Sequence, residues 1–511
     1  MSGNPFYITT AIDYVNSKPH LGTAYEKITA DAIARWRRLR GDDVLFLMGN
    51  DEHSLKVATA AEKLGLEPLA YCDRMEAVFT DAWKALDIAY DDFIRTTEPR
   101  HKAAVAAMIE RIREAGDIYQ SEYEGWYCNG CEAFKIAAEL VDGLCPEHKT
   151  LEPVWLKEKN WFFRLSRFQD FLLEHYRKHP EFILPEERRN ELLEVIRGGL
   201  RDLSISRESA TWGIPVPFDP GSVIYVWFDA LINYVSATGW PNDAAKAAKW
   251  WPAAVHIVGK DITRFHAVVW PAMLESAGLP LPKRVFGHGF VNRGLDRMSK
   301  TLGTIVDPKE LAQKYGADAV RWFLLVEATY GRDLDYTEER LIARANGDLA
   351  NTLGNLASRS VAMLVSYCGG VVPQPTEPSL MEESVAKAVE TYSQAMDDLD
   401  LKGGFEAALS IAVRANLLVE EEAPWKLNKS PEKRARLERV LYDLIESCRV
   451  AAILLVPAMP VKMATLLKAL GTKTLPAELR IGDARFGGLA AGTKLAKFEA
   501  LFPRIEDPPA I

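Results

Sequence analysis

Apolar residues near the N-terminus recur with two different spacings, which predict strands alternating with helices. A β-prone run covers residues 6–12, and after the polar loop 13–19 apolar residues recur at helical spacing from near Leu21. A second strand is predicted at 44–48 and a second helix at 55–64. Two consecutive strand–helix units favour an α/β fold in which helices cover a doubly wound parallel sheet, as in Rossmann-like domains.

The strand–helix pattern returns later in the chain, after a stretch of different character. A strand is predicted at 255–258, followed by a helix from 263 to 276. Between about 117 and 221, segments rich in Trp, Phe and Pro break the rhythm. We interpret this stretch as a domain inserted between the two halves of the sheet.

The last third of the chain has few strand signals. Helical periodicity runs from about Asp335 to about Phe498, interrupted at 369–378 and at Pro424, and predicts a C-terminal α-helix bundle. A chain of 511 residues is longer than a single hydrophobic core usually organises, so we expect several domains. The predicted segments are the first half of the α/β domain at 1–116, the inserted domain at 117–221, the second half of the α/β domain at 222–290, a connecting region at 291–345 and the helical domain at 346–511.

Charge and hydropathy narrow the classes of function. The 62 Lys and Arg residues against 71 Asp and Glu give a net charge of -9, which argues against a general nucleic-acid binder. Any RNA contact must therefore use local basic patches. No apolar run approaches the roughly 20 residues that cross a bilayer, and the N-terminus has neither a signal nor a transit-peptide pattern. We expect a cytoplasmic protein without membrane contact.

Three of the six cysteines belong to a cluster with metal-ligand spacing. Cys128 and Cys131 are separated by two residues, and Cys145 and His148 repeat that separation after 13 intervening residues. Paired ligands of this kind are typical of a tetrahedral Zn²⁺ site, and four protein ligands would close it as one structural site. A redox Cys-x-x-Cys motif is the alternative, but such a motif does not need the second pair.

A polar loop with an early histidine lies at the first strand-to-helix junction. Residues 16–23 place His20, Gly22 and Thr23 where backbone N–H groups and the positive end of a helix dipole attract anions. Gly22 permits the close approach of a phosphate, and His20 has a proton to donate to a phosphoryl oxygen as charge develops. Taken alone, a structural histidine in a βα loop is the simpler interpretation.

A second candidate phosphate-binding element follows the Gly-rich segment 286–290. Residues 296–301, with the sequence Asp-Arg-Met-Ser-Lys-Thr, form a cationic stretch suited to a loop that closes over phosphates. Lys300 would be the mobile charge that neutralises a leaving pyrophosphate. Taken alone, this stretch is more simply interpreted as a solvated basic loop.

Together the two elements resemble the paired signatures of class I aminoacyl-tRNA synthetases. Further segments resemble the methionyl-tRNA synthetase family in particular, and their order and spacing also match that family. The resemblance covers essentially the whole chain. Those segments are 6–14, 49–53, 225–230, 258–262, 265–266 and 270–273. The chain departs from the commonest pattern at Thr23, where a second histidine is frequent, at Arg297, in place of a lysine, and at Leu231, in place of a proline.

The resemblance implies a Rossmann-like catalytic domain with a zinc-containing insertion, a C-terminal helix bundle and a reaction in two steps. The carboxylate of methionine attacks the α-phosphate of ATP, and the adenylate then passes its acyl group to the terminal ribose of tRNA(Met). The resemblance further implies His20 and Lys300 as catalytic residues, Mg²⁺ bound with ATP and one structural Zn²⁺. No extra tRNA-binding domain of the kind that makes some relatives dimeric follows the motifs, so a monomer is expected.

The ATP contacts implied by the resemblance come from both phosphate elements and from the turn at 259–261. They are His20, Gly22, Thr23, Gly259, Asp261, Arg297, Ser299 and Lys300. Asp261 would bind the ribose hydroxyls, since ligands of open α/β sheets bind at the carboxyl ends of strands. Lys260 beside it is either a further contact or only a surface charge.

The methionine contacts implied by the resemblance form an aromatic-rich pocket. Methionine has an unbranched apolar chain and a polarizable sulfur, which suit an adaptable and nearly dry pocket. The implied residues are Ala11, Ile12, Tyr14, Asp51, Trp227, Ala230, Leu231, Tyr234, Ile262, Phe265 and His266. Tyr14 and His266 would approach the sulfur, and Asp51 would hold the ammonium group. Each residue taken singly is also an ordinary core residue of an α/β domain.

The helical domain contains segments that resemble the anticodon-reading parts of the family. Trp425 would be a stacking platform for a loop base, and Asn355 and Arg359 would donate hydrogen bonds to base edges or phosphates. A tryptophan just after a helix-breaking proline is otherwise a packing residue.

Two other functions remain open from the sequence. The first is another class I synthetase, for cysteine, leucine or isoleucine, although the leucine and isoleucine enzymes usually carry a larger editing insertion and a cysteine enzyme would use zinc in its catalytic pocket. The second is a zinc-containing RNA-binding protein without catalysis. Such a protein would not need both His20 and Lys300.

Overall fold

Strands and helices alternate through the first two thirds of the chain. The computed structural model describes residues 3–128, 133–135, 139–146, 152–208, 210–294, 296–297 and 305–506. The strands are β1 (Pro5–Thr10), β2 (Asp13–Tyr14), β3 (Asp43–Asp51), β4 (Asp92–Arg95), β5 (Ile118–Cys128), β6 (Ala133–Lys135), β7 (Val154–Phe163), β8 (Ile183–Leu184), β9 (Leu203–Ser204), β10 (Ser206–Arg207), β11 (Pro215–Val216), β12 (Asp219–Ile224), β13 (Ala254–Gly259), β14 (Arg284–His288), β15 (Val291–Arg293), β16 (Asp296–Arg297) and β17 (Leu334–Asp335). The α-helices are α1 (Leu21–Arg40), α2 (Leu55–Lys63), α3 (Pro68–Ala85), α4 (Pro99–Glu114), α5 (Gln169–Lys178), α6 (Glu186–Arg197), α7 (Val226–Ala230), α8 (Asn233–Ser236), α9 (Ala244–Trp250), α10 (Trp270–Ser276), α11 (Pro308–Tyr315), α12 (Ala317–Val326), α13 (Glu338–Arg344), α14 (Asn355–Cys368), α15 (Glu382–Asp397), α16 (Leu401–Glu422), α17 (Pro424–Leu427), α18 (Arg434–Leu455) and α19 (Pro460–Ala469).

A parallel sheet forms the centre of the α/β half. Its strand order is β2-β3-β1-β13-β14-β8, with β4 also paired to β3, and all of these pairings are parallel. From β1 the chain runs outward to β3 and β4, and later returns to β13 and β14 on the other side. Ligands of open α/β sheets bind outside the carboxyl ends of the strands where the order reverses, which here is between β1 and β13. The predicted parallel α/β sheet is confirmed.

Helix α1 begins and ends at residues suited to those places. Its N-cap is His20, and a capping box joins it to Thr23 at the third helical position. The helix ends at Gly41, whose φ of 92° is a left-handed conformation that costs glycine no Cβ clash. The predicted start at Leu21 is confirmed.

The segment predicted as an inserted domain forms its own sheet and also contributes to the central one. Strands β5 and β7 are a long antiparallel pair, joined by β6 and β9. Strand β8, however, pairs with β14 at the edge of the central sheet, and β12 runs across the boundary predicted at 221. The insertion is therefore anchored in the fold that surrounds it.

The C-terminal region is helical, as predicted, but its helices end earlier than expected. The prediction of helical structure to about Phe498 was wrong, because α19 ends at Ala469 and only two short 3₁₀ turns follow within the described residues. Pro476 and several glycines between 471 and 492 interrupt the helical pattern there. This tail lies back on α18, where the Arg449 guanidinium donates to the carbonyl oxygens of Asp483 and Arg485.

Two further observations concern helices. The helix predicted from 263 to 276 contains a π-helical segment, Phe265–Val269, just before α10. Segments of this kind occur frequently at functional sites. Among the described residues, every helix is too short or too polar to span a bilayer.

Candidate functional site

His20 lies at the carboxyl edge of the sheet with its ring oriented by its own helix. The Thr23 N–H donates to His20 Nδ1 at 3.2 Å, so a neutral ring carries its proton on Nε2. Thr23 Oγ1 donates to the His20 carbonyl oxygen at 2.7 Å and accepts from the His20 N–H at 3.0 Å. A Cβ at Gly22 would lie 2.9 Å from His20 Cε1, so a larger residue there would displace the histidine ring. The Thr23 backbone thus orients the histidine ring, and the Thr23 hydroxyl, which is the departure from the family pattern, holds the backbone of His20.

The turn after β13 is the second part of the edge. Asp261 is exposed there, and a Cβ at Gly259 would lie 2.7 Å from Asp261 Oδ1, so glycine leaves room for this carboxylate. Lys260 has a structural partner, because its Nζ donates to both carboxylate oxygens of Asp333 at 2.7 and 2.8 Å. Asp261 of this turn therefore lies at the surface, and the Lys260–Asp333 ion pair holds the turn against the segment before β17.

The Met-Ser-Lys element begins in strand β16. Strand β16 pairs with β15 so that Arg297 lies opposite Asn292. Met298, Ser299, Lys300 and Thr301 lie outside the described residues, as does the side chain of Arg297. Their predicted ATP contacts stay predictions.

Five of the residues predicted to contact methionine form a half-buried aromatic and aliphatic cluster beside the edge. They are Ile12, Tyr14, Trp227, Ile262 and Phe265. The Trp227 and Phe265 rings are stacked with centroids 4.3 Å apart, and Tyr14 meets Trp227 edge-on at 6.2 Å. A Cβ at Gly49 would lie 2.9 Å from Ile12 Cγ2 and 2.1 Å from the Ile94 carbonyl oxygen, so glycine allows this packing. The cluster has an aromatic and apolar surface that suits a thioether chain.

The remaining residues of the predicted pocket lie behind that cluster. Ala230, Leu231, Tyr234 and His266 are buried in the core, and Ala11 is half-buried at the end of β1. Since Leu231 has only 1% of its surface exposed, the departure from proline there changes the packing behind the wall rather than an open surface. Asp51 ends β3, and the β2–β3 register places it opposite Tyr14. A carboxylate thus lies at the polar end of the cluster.

His266 has a fixed protonation pattern. Its Nδ1 lies 3.0 Å from the Ile262 carbonyl oxygen, which can only accept, so Nδ1 carries the proton. Its Nε2 therefore accepts from the Tyr234 hydroxyl at 2.6 Å. Burial lowers the pKa of His266 to about 4, so the ring is neutral at physiological pH. The predicted approach of His266 to the ligand would thus be mediated by Tyr234.

The carboxylate of Asp229, which the sequence patterns did not indicate, is buried behind the predicted methionine pocket and holds its segments together. Asp229 accepts from His53 Nδ1 at 2.8 Å and from His101 Nε2 at 2.7 Å. Burial alone would raise the pKa of Asp229, but the bonds with His101 and His53 outweigh it and hold the pKa at about 2. Because Asp229 lies between Trp227 and Ala230, it joins three segments around the pocket. The Gly49–His53 and Tyr225–Ala230 motifs contain two members of this group, but only the fold brings them together.

A second charged group was also missed. Lys27 and Glu26 on α1 are buried beside Asp13 of β2, and Glu26 Oε2 lies 2.9 Å from His288 Nε2 at the end of β14. The signal available in the sequence was a Glu-Lys pair on the apolar face of a predicted helix.

Two of the four predicted zinc ligands fall within the described residues. Cys128 ends β5 and Cys145 follows a tight turn, and both are buried. Cys131 and His148 lie outside the described residues. Within the described part of the chain, no group of three or more His, Cys, Asp or Glu side chains could hold a metal ion.

The three residues predicted to read an anticodon lie together on the helical domain. Asn355 and Arg359 on α14 line an open groove of about 380 Å³ whose other wall is α16. The Arg359 guanidinium lies 5.4 Å from the centre of the half-buried Trp425 ring and donates to Glu420 at 2.8 Å. Asn416 of α16 also lines the groove and was not predicted. The groove presents a cation and amides on one exposed surface, and the Trp425 ring lies beside that cation.

Models of two protein families match the chain. One, described as "tRNA synthetases class I (M)", matches residues 6–153 and 148–361. The other, described as "Anticodon binding domain of methionyl tRNA ligase", matches residues 369–510. The two matches separate the α/β half and the connecting region from most of the helical domain.

Individual proteins are similar over nearly the whole chain. A methionine–tRNA ligase of Caldanaerobacter subterraneus subsp. tengcongensis is 46% identical over 509 residues, which cover 98% of this chain and 79% of that protein. One of Nostoc sp. is 44% identical over 519 residues, covering 98% and 97% respectively.

Solved structures agree with these relatives. Mycobacterium tuberculosis methionyl-tRNA synthetase in complex with methionyl-adenylate superposes with a TM-score of 0.92 at 43% identity, covering 98% of this chain and 100% of that chain. The apo form of the same protein gives a TM-score of 0.86 at 41% identity, covering 99% of each chain. The chain belongs to the methionyl-tRNA synthetase family of class I aminoacyl-tRNA synthetases.

Proposed function

We propose that this protein ligates L-methionine to tRNA(Met) in an ATP-dependent reaction through a methionyl-adenylate. The observation that carries the proposal is the arrangement at the edge of the sheet. The His20 cap, the exposed Asp261 turn and the aromatic cluster around Trp227 adjoin one switch point, in a chain 43% identical to a synthetase solved with methionyl-adenylate.

In the first step a methionine carboxylate oxygen attacks the α-phosphorus of ATP and pyrophosphate leaves. The work of the protein is to position the reactants and to stabilise charge. His20 would donate from Nε2 to a phosphoryl oxygen, because Thr23 occupies its Nδ1. Asp261 would bind the ribose hydroxyls, and Lys300 would neutralise the leaving pyrophosphate. Mg²⁺ bound with ATP would supply further positive charge at the phosphates.

In the second step a hydroxyl of the terminal ribose of tRNA attacks the acyl carbon and AMP leaves. The anticodon would bind far from this chemistry, in the groove of α14 and α16. Trp425 would stack on a loop base while Asn355 and Arg359 donate to base edges or phosphates. The cation and the aromatic face that this requires already adjoin each other there.

The methionine side chain would lie against the Trp227–Phe265 stack, with Asp51 holding its ammonium group. An apolar pocket separates ligands that differ by one methylene by only about 1–3 kcal/mol. Homocysteine should therefore be activated measurably, although less efficiently than methionine.

We also propose one structural Zn²⁺ held by Cys128, Cys131, Cys145 and His148. Thiolate and imidazole ligands in two spaced pairs suit Zn²⁺, and the buried positions of Cys128 and Cys145 suit a site that excludes water. Bound there, the ion would fasten the insertion and take no part in the reaction. The test is elemental analysis of the purified protein, with one zinc per chain expected in the wild type and loss of that zinc expected in Cys145→Ser. A wild-type protein without zinc that keeps full activity would contradict the proposal.

The function itself is tested by ATP–pyrophosphate exchange with each of the twenty amino acids. Methionine should give the highest activity. Lys300→Ala should lower methionine-dependent exchange by about 100-fold or more and leave tRNA affinity unchanged, because this charge acts only during activation. Lys473→Ala, at an exposed position on the helical domain, is the matched control. Higher activity with another amino acid would refute the methionine assignment.

A further inference from the structure

The ammonium group of Lys27 is buried at the edge of the sheet and all its donors have acceptors. Only 1% of the side chain is exposed. Its Nζ donates to the Ala11 carbonyl oxygen at 2.7 Å, to Glu26 Oε1 at 2.8 Å and to Asp13 Oδ1 at 3.2 Å. An ammonium group has three N–H donors, so these partners use its whole capacity. Such a cation is costly to bury unless its contacts are specific.

Two of the three partners of Lys27, Ala11 and Asp13, belong to segment 11–14, which forms one wall of the proposed methionine pocket, and the third, Glu26, lies on α1 itself. Ala11 precedes Ile12, and Asp13 precedes Tyr14. In the β2–β3 register Asp13 lies opposite Asn50, which in turn places Tyr14 opposite Asp51. The ammonium therefore fixes both the backbone and a side chain of the segment that carries Ile12 and Tyr14.

Lys27 also lies on the helix that carries the phosphate-binding cap. It follows His20 by seven residues, which is about two turns, so both lie on similar faces of α1. His20 is capped by Thr23 and is independent of Lys27. Lys27 thus connects segment 11–14, one wall of the proposed methionine pocket, to the helix that begins at His20. The helix cap at His20 does not depend on this connection.

The charge of Lys27 is secured by its neighbours. Burial alone would lower the pKa of the ammonium, but Asp13 and Glu26 raise it above its usual value, so the group stays protonated. His288 is a further titratable group beside this cluster, and its Nε2 lies 2.9 Å from Glu26 Oε2.

We propose that Lys27 is a positioning residue for methionine activation: it holds residues 11–14 against α1 and thereby sets the methionine pocket relative to the phosphate-binding cap. The inference rests on the proposed function, since it concerns the same site. A wild-type protein that fails to activate methionine would refute that function, whereas the variants below test Lys27 in a protein that does activate it.

The first variant is Lys27→Met, which keeps the length of the side chain and removes the charge. Displacing a positioning group by about 1 Å costs up to about 100-fold in rate, so we expect the KM for methionine to rise by about 10- to 100-fold. The KM for ATP should change by less than about threefold, because the His20 cap persists. Both constants come from ATP–pyrophosphate exchange. Lys63→Met, an exposed position at the end of α2, is the control.

A purely structural role would give a different pattern. Partial unfolding lowers the active fraction and hence the apparent kcat, but it leaves both KM values unchanged. A methionine KM within about twofold of wild type in Lys27→Met would therefore overturn the proposal, even if the melting temperature falls.

A second variant addresses the case in which Lys27→Met does not fold. Lys27→Met combined with Asp13→Asn removes the cation together with one of its anions, so less uncompensated charge is buried. We expect the double variant to recover thermal stability and to retain the raised methionine KM, because the Ala11 carbonyl is still not held. Recovery of a wild-type methionine KM together with stability would show that Lys27 only balances charge, and would overturn the proposal.

Discussion

The proposed methionine pocket and the proposed anticodon groove hold their polar side chains in opposite ways. Behind the pocket, Asp229 and its partners His53 and His101 have at most 2% of their side chains exposed. In the groove, the Arg359 side chain is 34% exposed and that of its partner Glu420 is 63% exposed. The first set is fixed before any ligand arrives, and the second can rearrange around one.

This difference agrees with the two proposed ligands. The methionine side chain gives a protein little to recognise besides its apolar surface, so the wall of the pocket must be held in place by groups that have no alternative partners. Buried hydrogen bonds do this, because in a low dielectric a broken bond leaves a costly unpaired group. Loop bases of RNA, by contrast, offer edges and faces to side chains that exchange water and ion-pair partners for them. Four variants or measurements follow, from the largest expected effect to the smallest.

Removing the charge of the buried Asp229 should have the largest effect. In Asp229→Asn the amide can accept from one histidine but presents an N–H group to the other, so a buried donor loses its acceptor. Leaving a buried hydrogen-bonding group without its charged partner lowers the unfolding free energy by about 3 kcal/mol. Urea unfolding measures it, with the exposed Asp170→Asn as control. A loss no larger than in that control would mean that Asp229 does not brace the pocket.

Removing the aromatic ring beside Arg359 should affect only the tRNA step. In Trp425→Ala a stacking platform is lost, which costs about 1–3 kcal/mol per base, or about 5- to 150-fold in kcat/KM for tRNA aminoacylation. ATP–pyrophosphate exchange should remain at the wild-type level, and Trp425→Phe should restore most of the aminoacylation. An equal fall in exchange would place Trp425 in the packing of the whole protein instead of in RNA binding.

Breaking the exposed ion pair should have a small effect of the opposite sign. Glu420→Gln removes a solvent-screened partner of Arg359, so the free energy of unfolding should change by less than about 0.5 kcal/mol. The dissociation constant for tRNA should fall by about threefold, because an anion near the RNA backbone is lost and Arg359 is released. Filter binding measures the constant, with the exposed Glu432→Gln as control. Weaker binding would instead show that Glu420 positions Arg359 or contacts a base.

The sequence predicted local features of both regions better than long-range ones. The start of α1 and its cap at His20 depend on neighbouring residues, and the parallel sheet follows from periodicity. Asp229 is hydrogen-bonded to His53 and His101, which lie 176 and 128 positions away in the chain, and no local pattern carries that information. Helical periodicity beyond Ala469 was misleading, because glycines and a proline there outweigh it. The zinc site, the Met-Ser-Lys loop and the monomeric state stay predictions.

The smallest effect should come from pH, because His266 is buried neutral. Besides Tyr234, the groups that act on its pKa are the Ile262 carbonyl, His256 and Glu26, and burial dominates, so the pKa is lowered to about 4. An ordinary histidine would gain its proton near pH 6.5, after which Nε2 could no longer accept from Tyr234 and methionine would bind more weakly. Here that change should occur only as the pH falls toward about 4.

The measurement is the methionine dissociation constant by tryptophan fluorescence, for wild type and His266→Gln, between about pH 5 and 8. The ratio of the two constants should stay level across this range, because any titration of Asp13, whose pKa burial raises to about 6, is common to both proteins and cancels. A break in the ratio near pH 6.5 would mean that His266 is reached by solvent. The pocket would then resemble the groove, and the distinction between a fixed and an adaptable site would not hold.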